Sequence, residues 1–248
     1  MRYKMIFSYD GSNFSGYQKQ PQKRTIQTEI EDVLTKINNK AVLLTASGRT
    51  DTHVHAYGQT AHFDFNKQIS VDKLKKAINS LLPSDIYVRE LEEVSDQFHA
   101  RFDVLKKTYC YKINTGIYDP VSRSYVYQLN RDLDFNLMIE ASKILIGTHD
   151  FSSFVKLEEE KDCVRTIEDI SITNDHNIVS ITFTGNGFLR YMVRNLVGCL
   201  IEIGMKKRAV DTVRTILDSQ DRTKAGLCAP AEGLYLMKVF YDGEERNK

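Results

Sequence analysis

The sequence predicts an α+β protein made of two halves, each with a mainly antiparallel sheet and helices on one face. Three observations carry that reading. Apolar residues switch repeatedly between a period of two and the helical period. The order strand, helix, strand, strand, helix, strand occurs twice. The two runs, 1–105 and 106–248, share this order without sharing residue identities.

In the first half, Tyr3–Tyr9 alternates as a strand and breaks at Asp10-Gly11. Ile26, Ile30, Val33, Leu34 and Ile37 follow helical spacing. Ala41–Thr45 and Gln59–Phe65 read as strands around the loop Ala46–Tyr57. Val71, Leu74, Ala77, Ile78, Leu81 and Leu82 form an amphipathic helix behind Ser70, stopped at Pro83, and Ile86–Leu91 closes the half. The second half opens with a strand at Thr108–Ile113. A helix follows over Phe135–Ile146, capped by Asp134 and ended by Gly147. Strands at Ile167–Thr173 and Ile178–Thr184 flank the turn sequence Asn174-Asp175-His176-Asn177. A strongly apolar helix over Phe188–Ile203, a shorter one at Val210–Leu217 and a strand at Gly233–Tyr241 complete the chain.

Composition narrows the function classes. The 248 residues carry 34 Lys+Arg against 33 Asp+Glu, with 42% hydrophobic residues, which is an ordinary globular composition and excludes a disordered chain. No apolar run approaches the roughly 20 residues of a membrane span, and the N-terminus reads as a strand rather than a signal peptide. Cys110, Cys163, Cys199 and Cys228 are scattered without a CxxC, so we expect a reduced, cytoplasmic protein with neither a disulfide framework nor a zinc site.

The segment from Ser47 to Gly58 is the richest in chemistry. It gathers Arg49, Asp51, His53 and His55 between two predicted strands, with glycines where a ligand or a bend needs room. A surface Arg49–Asp51 pair is the plainest explanation. Metal binding by His53 and His55 with His62 or His149 lacks a convincing third ligand. The apolar helix around Met192–Val197 shifts the balance. It reads as buried, so Arg194 in its middle needs a carboxylate or phosphate partner. Asp51 is the candidate partner, with a structural acid as the alternative, and Arg190 one turn earlier can snorkel to the helix start or meet a phosphate. Finally, Phe98–Phe102 and Lys106–Tyr111 place rings beside cations, a combination suited to holding a base and its backbone.

These residues also fall into an ordered set of motifs. Tyr9-Asp10-Gly11 with Gly16-Tyr17-Gln18, Arg24-Thr25-Ile26-Gln27, and Gly48-Arg49-Thr50-Asp51 followed by Val54-His55-Ala56 lie in the first half. Phe98-His99-Ala100-Arg101-Phe102, Gly147–Phe154, Val164-Arg165-Thr166-Ile167, Asn186–Leu189, Met192-Val193-Arg194-Asn195 and Gly233-Leu234-Tyr235-Leu236 follow. Together they resemble the TruA family of tRNA pseudouridine synthases nearly end to end. The resemblance implies the pseudouridine synthase fold, two ferredoxin-like halves flanking a basic active-site cleft. It also implies that Asp51 is the catalytic aspartate, that Arg49 and Arg194 support it, and that the Tyr109 ring contacts the substrate. It further implies a homodimer that works without cofactor or metal on uridines 38, 39 and 40 of the tRNA anticodon stem-loop. Tyr17 replaces the family's usual Trp, and Thr52-His53 its Ala-Gly. The competing readings are a paralogue directed to rRNA and a non-catalytic RNA-binding protein.

Charge is unevenly spread along the chain. Residues 1–27 hold five bases against Asp10, and residues 186–208 hold five against Glu202. Acids gather at 156–169. Basic segments of this kind predict salt-dependent RNA binding despite a net charge of only +1.

Overall fold

Alternation along Arg2–Tyr9 makes that segment a strand, β1, with Tyr3, Met5, Phe7 and Tyr9 all buried. The computed structural model describes residues 1–155 and 162–242. They divide into two compact units, residues 1–105 with 235 onward, and residues 106–234.

In the first unit, β1 is paired antiparallel on one side with β3 (His55–Asp64) and on the other with β4 (Ile86–Val94). A short β2 (Thr45–Ala46) pairs with β3, Thr45 opposite His62. The strand expected over Ala41–Thr45 shrinks to this pair because side chains take its backbone donors. Val42 N–H goes to Thr35 Oγ1 and Leu44 N–H to the buried Glu31 carboxylate. α1 (Ile26–Asn38) starts at Thr25, whose hydroxyl accepts the Thr28 N–H at 3.3 Å. Ile26, Ile30 and Leu34 on its inner face are at most 1% exposed. Each such side chain contributes about 1.5–3 kcal/mol relative to leaving it in water. α2 (Val71–Leu81) packs on β4. The last strand, β10 (Leu234–Phe240), which the sequence places at the end of the second half, lies parallel to β3 with Tyr235 opposite His55.

In the second unit, β5 (Lys106–Asn114), β9 (Ile178–Gly185), β8 (Val164–Asp175) and β7 (Gly147–Asp150) form an antiparallel sheet in that order. A two-residue β6 (Tyr127–Gln128) lies parallel to β5. β8 and β9 meet through His176 and Asn177, with φ of 45° and 68°. Positive φ at both turn residues gives the twist a tight hairpin requires. α3 (Phe135–Leu145) begins at Asp134, whose carboxylate accepts the Leu137 N–H, and packs on β8. α4 (Met192–Gly204) and α5 (Thr212–Ser219) pack against α3.

α4 departs from expectation at its start. The predicted helix begins at Phe188, but Tyr191 takes a left-handed backbone with φ of 64°, so the helix opens only at Met192. Arg194 therefore stands in the first turn rather than mid-helix, and it is half-buried. Further along α4, Gly198 lies against the 227–229 backbone, where an added Cβ would sit 1.8 Å from the Leu227 carbonyl oxygen. Ala would gain about 1 kcal/mol in helix propensity. The overlap outweighs that gain, because it is with backbone that cannot rotate away. We predict that Gly198→Ala lowers stability by about 1–3 kcal/mol, read as a lower urea midpoint at unchanged slope.

Candidate active site

The loop from Ser47 to Val54 is held at both ends by strand residues. Gln59 lies at 0% exposure on β3. Its amide nitrogen donates to the Gly48 carbonyl at 3.1 Å, while its oxygen accepts the Ser47 hydroxyl and the Thr60 N–H. At the middle of the loop, Thr50 is gripped from two sides. Its hydroxyl lies 2.8 Å from the Tyr9 hydroxyl, and its carbonyl accepts the Tyr17 N–H at 3.1 Å. Gly16 makes the second grip possible. It has φ of +88°, and a Cβ there would press on the backbone of residues 50–52 within 3.2–3.5 Å. Val54 N–H then closes the loop onto the Asp51 carbonyl.

Arg49 and Asp51 flank this fixed threonine. Arg49 is exposed and Asp51 half-buried, so the loop presents a guanidinium and a carboxylate at its surface. Thr52 and His53 are exposed at the tip. His53 adopts φ of 65° and sets Nδ1 2.9 Å from the Ser12 carbonyl. Beneath the loop, burial pushes the Tyr9 hydroxyl up to about 12. Tyr17 is 3% exposed, and its phenol is raised by burial and then by Tyr9 and Glu31 nearby. Its hydroxyl has no hydrogen-bond partner among the described residues. Tyr9, Gly16 and Gln59 were not singled out as supports of this loop from the sequence. A Gln between the small residues Gly58 and Thr60 in the middle of a strand is the signal that could have found the last of them.

The remaining expected site residues lie in the second unit. Tyr109 on β5 is 9% exposed and meets Phe188 edge-on at 5.3 Å. Arg194 donates through Nε to the Ala229 carbonyl at 2.7 Å, and the Ala229 N–H returns a bond to the Arg194 carbonyl. Its guanidinium lies 5.1 Å from the centre of the Tyr191 ring. Arg190 is exposed and precedes Tyr191, 5.3 Å from the same ring.

The imidazoles considered for metal have other partners. His55 Nδ1 receives the Gly11 N–H at 3.1 Å, and His62 Nδ1 receives the Ala100 N–H at 3.1 Å. Asp10 Oδ1 also lies 3.2 Å from His55 Nδ1, but the amide hydrogen claims that nitrogen while Asp10 is satisfied by Ser12. His149 lies in the other unit, with Nε2 3.1 Å from the Ile146 carbonyl. Among the described residues no group of three or more His, Cys, Asp or Glu could hold a metal. No helix among them is long and apolar enough to cross a membrane.

The basic segments are extensively paired. Arg2 binds Asp64, Lys4 binds Glu92, Lys19 binds Glu31, and Arg24 bridges Glu29 and Asp85. Lys206 and Arg208 pair with Asp134 and Glu202. Within the acid-rich segment, residues 156–161 lie outside the described residues.

The chain matches the family model described as tRNA pseudouridine synthase over residues 5–103 and 141–242. The tRNA pseudouridine synthase A 2 of Clostridium tetani is 48% identical over 238 residues, covering 94% of this chain and 96% of the relative. The tRNA pseudouridine synthase A of Limosilactobacillus reuteri is 45% identical over 247 residues, covering 97% and 96%. That of a Geobacillus species is 44% identical over 244 residues, covering 97% and 98%. Among solved structures, a chain of "Structure of H/ACA RNP bound to a substrate RNA containing 2'-deoxyuridine" aligns at 12% identity and a TM-score of 0.35, over 81% of this chain and 53% of that one. The chain thus belongs to the tRNA pseudouridine synthase family, a class of isomerases.

His62 supplies a pH test of the first unit. Burial, then the positive charge of Arg2, lower its imidazole to about 4. An unfolded His takes up its proton near 6.5, so between about pH 6.5 and 4 the unfolded state binds more protons. We predict that stability falls as pH drops through this window. His62→Asn, which keeps an acceptor for Ala100 N–H, should flatten that slope in urea melts at stepped pH.

Proposed function

We propose that this chain converts uridine to pseudouridine in the anticodon stem-loop of tRNA, with Asp51 as the catalytic carboxylate. One observation carries the reading. The Gly48-Arg49-Thr50-Asp51 loop is immobilised from beneath, with the Arg49 side chain exposed and Asp51 half-buried beside it. Its setting, a chain 44–48% identical almost end to end to relatives named tRNA pseudouridine synthase A, supplies the substrate class.

The reaction breaks the N1–C1′ bond, turns the base and joins C5 to C1′. C5 gives up its proton to solvent and N1 takes one up, so the product is an isomer of the substrate and no electrons are transferred to a cofactor. A carboxylate serves this chemistry by attack at C1′, by addition at C6 or by removal of the 2′ proton. The uridine must leave its stack first, at a cost of a few kcal/mol. In this reading the Tyr109 ring offsets that cost by contact with the base. Arg49 holds the extruded nucleotide, and Arg194 supplies a fixed positive charge in support of the carboxylate. The family resemblance extends the proposal to a cytoplasmic homodimer of two-half chains, with residues 1–105 bearing the catalytic loop and 106–248 bearing Tyr109 and Arg194.

Tritium release from 5-tritiated transcripts tests the assignment. We predict that the native protein releases tritium from tRNA and not from rRNA. Asp51→Asn should lower turnover by on the order of a thousandfold or more while tRNA binding persists. Substantial turnover by that variant would refute the role of Asp51. Tyr109→Phe keeps the ring and should keep most of the activity, so its complete loss would assign a task to the hydroxyl instead.

A further inference from the structure

Tyr57, near the start of β3, is 43% exposed even though its ring lies flat on another. That other ring is Tyr235 of β10, with centres 5.5 Å apart and planes at 14°. Tyr235 in turn stacks on His55 at 4.8 Å and 23°. The parallel pairing of β3 and β10 sets Tyr235 opposite His55. The two-residue side-chain period then brings Tyr57 to the same side. Tyr235 and His55 are 5% and 2% exposed, so the ladder is anchored in the interior and ends in solvent.

An exposed cation reaches the backbone of the same residue. Arg89 is exposed, and its Nη1 donates to the Tyr57 carbonyl at 3.1 Å. Lys75 Nζ donates to the Arg89 carbonyl. A ring already fixed by stacking loses little freedom when a further plane is laid on it. Nucleobases offer that plane whatever their identity, and the attached phosphate suits a neighbouring guanidinium.

We propose that the outer face of Tyr57 is a stacking platform for an unpaired base of the RNA substrate, with Arg89 meeting the phosphate of the same strand. This rests on the reading of the chain as an enzyme acting on RNA. It adds a binding subsite on β3, separate from the Arg49–Asp51 loop.

The sequence contains no tryptophan, so Tyr57→Trp places a sole tryptophan, excitable apart from the tyrosines, at the end of the ladder. Its emission should be quenched on titration with a tRNA transcript. Tyr57→Phe should bind as the native protein does. Tyr57→Ala and Tyr57→Leu should each bind tRNA about tenfold more weakly, the effect falling on Kd and KM rather than kcat. Leu keeps the apolar bulk over Tyr235, so the same loss in both variants belongs to the aromatic face rather than to unfolding. Arg89→Gln should lower the slope of log affinity against log salt by about one. Native affinity in both the Ala and Leu variants, or unchanged Trp emission at saturating RNA, would overturn the platform. Tritium release by the native protein is followed in parallel. Quenching without any release would leave the platform standing and remove the isomerase reading.

Discussion

Thr50 is the point on which the candidate site depends. Its hydroxyl is bound by Tyr9 from β1 and its carbonyl by the Tyr17 amide, while Gln59 of β3 fixes the loop's approach. Each of these hydrogen bonds contributes only about 0.5–1.5 kcal/mol net. Their value lies in number and direction. They constrain the backbone between Arg49 and Asp51 without engaging the Arg49 and Asp51 side chains in the same bonds. A pair of charged residues carried on a loop acquires in this way the precision of a pair carried on a strand. The price is a crowded interior beneath it, where Tyr17 buries a hydroxyl that finds no partner among the described residues.

The same packing explains what was legible in the sequence. β1, α1, α2, α3 and the β8–β9 hairpin follow directly from apolar period, capping residues and a turn that accepts positive φ, because local chemistry and tertiary environment agree there. The loop bearing Arg49 and Asp51 was legible for the opposite reason, since its mixture of small and ionisable residues suits no buried element. What escaped notice depended on distant partners. Glu31 diverts the backbone of Leu44 from a sheet, and nothing in the period of 41–45 announces a carboxylate on the preceding helix. Tyr191 ends the helical path before Met192 although its neighbours keep a helical pattern. Supports of the loop such as Tyr9 and Gln59 look, in sequence, like ordinary strand residues.

Charge tells a similar story. Counting along the chain made two segments strongly basic, yet Arg2, Lys4, Lys19, Arg24, Lys206 and Arg208 all have carboxylates within ion-pair distance, Glu202 for Arg208 within its own segment and the others from outside theirs. The exposed pairs among them are weak and screened by salt, so those can exchange for phosphates at little cost, whereas Lys4 and the Glu31 carboxylate are buried. Arg194 is different in kind. A cation in the first turn of a helix sits at the unfavourable end of the macrodipole. A bond to the Ala229 carbonyl and the Tyr191 ring help to orient the guanidinium there.

The placement of β10 has a consequence for how the chain is made. Its Tyr235 and Leu236 pair with His55 and Ala56, about 180 residues earlier, while the whole of residues 106–234 intervenes. During synthesis the ribosome delivers the second unit complete before it delivers the strand that finishes the first. Until then β3 presents an unpaired edge beside the loop that carries Asp51, exposed to any other extended chain nearby. The loop that carries Asp51 therefore acquires this neighbouring strand only after residues 106–234 have been translated, and a nascent chain stalled before residue 235 carries the Gly-Arg-Thr-Asp sequence in an unfinished sheet.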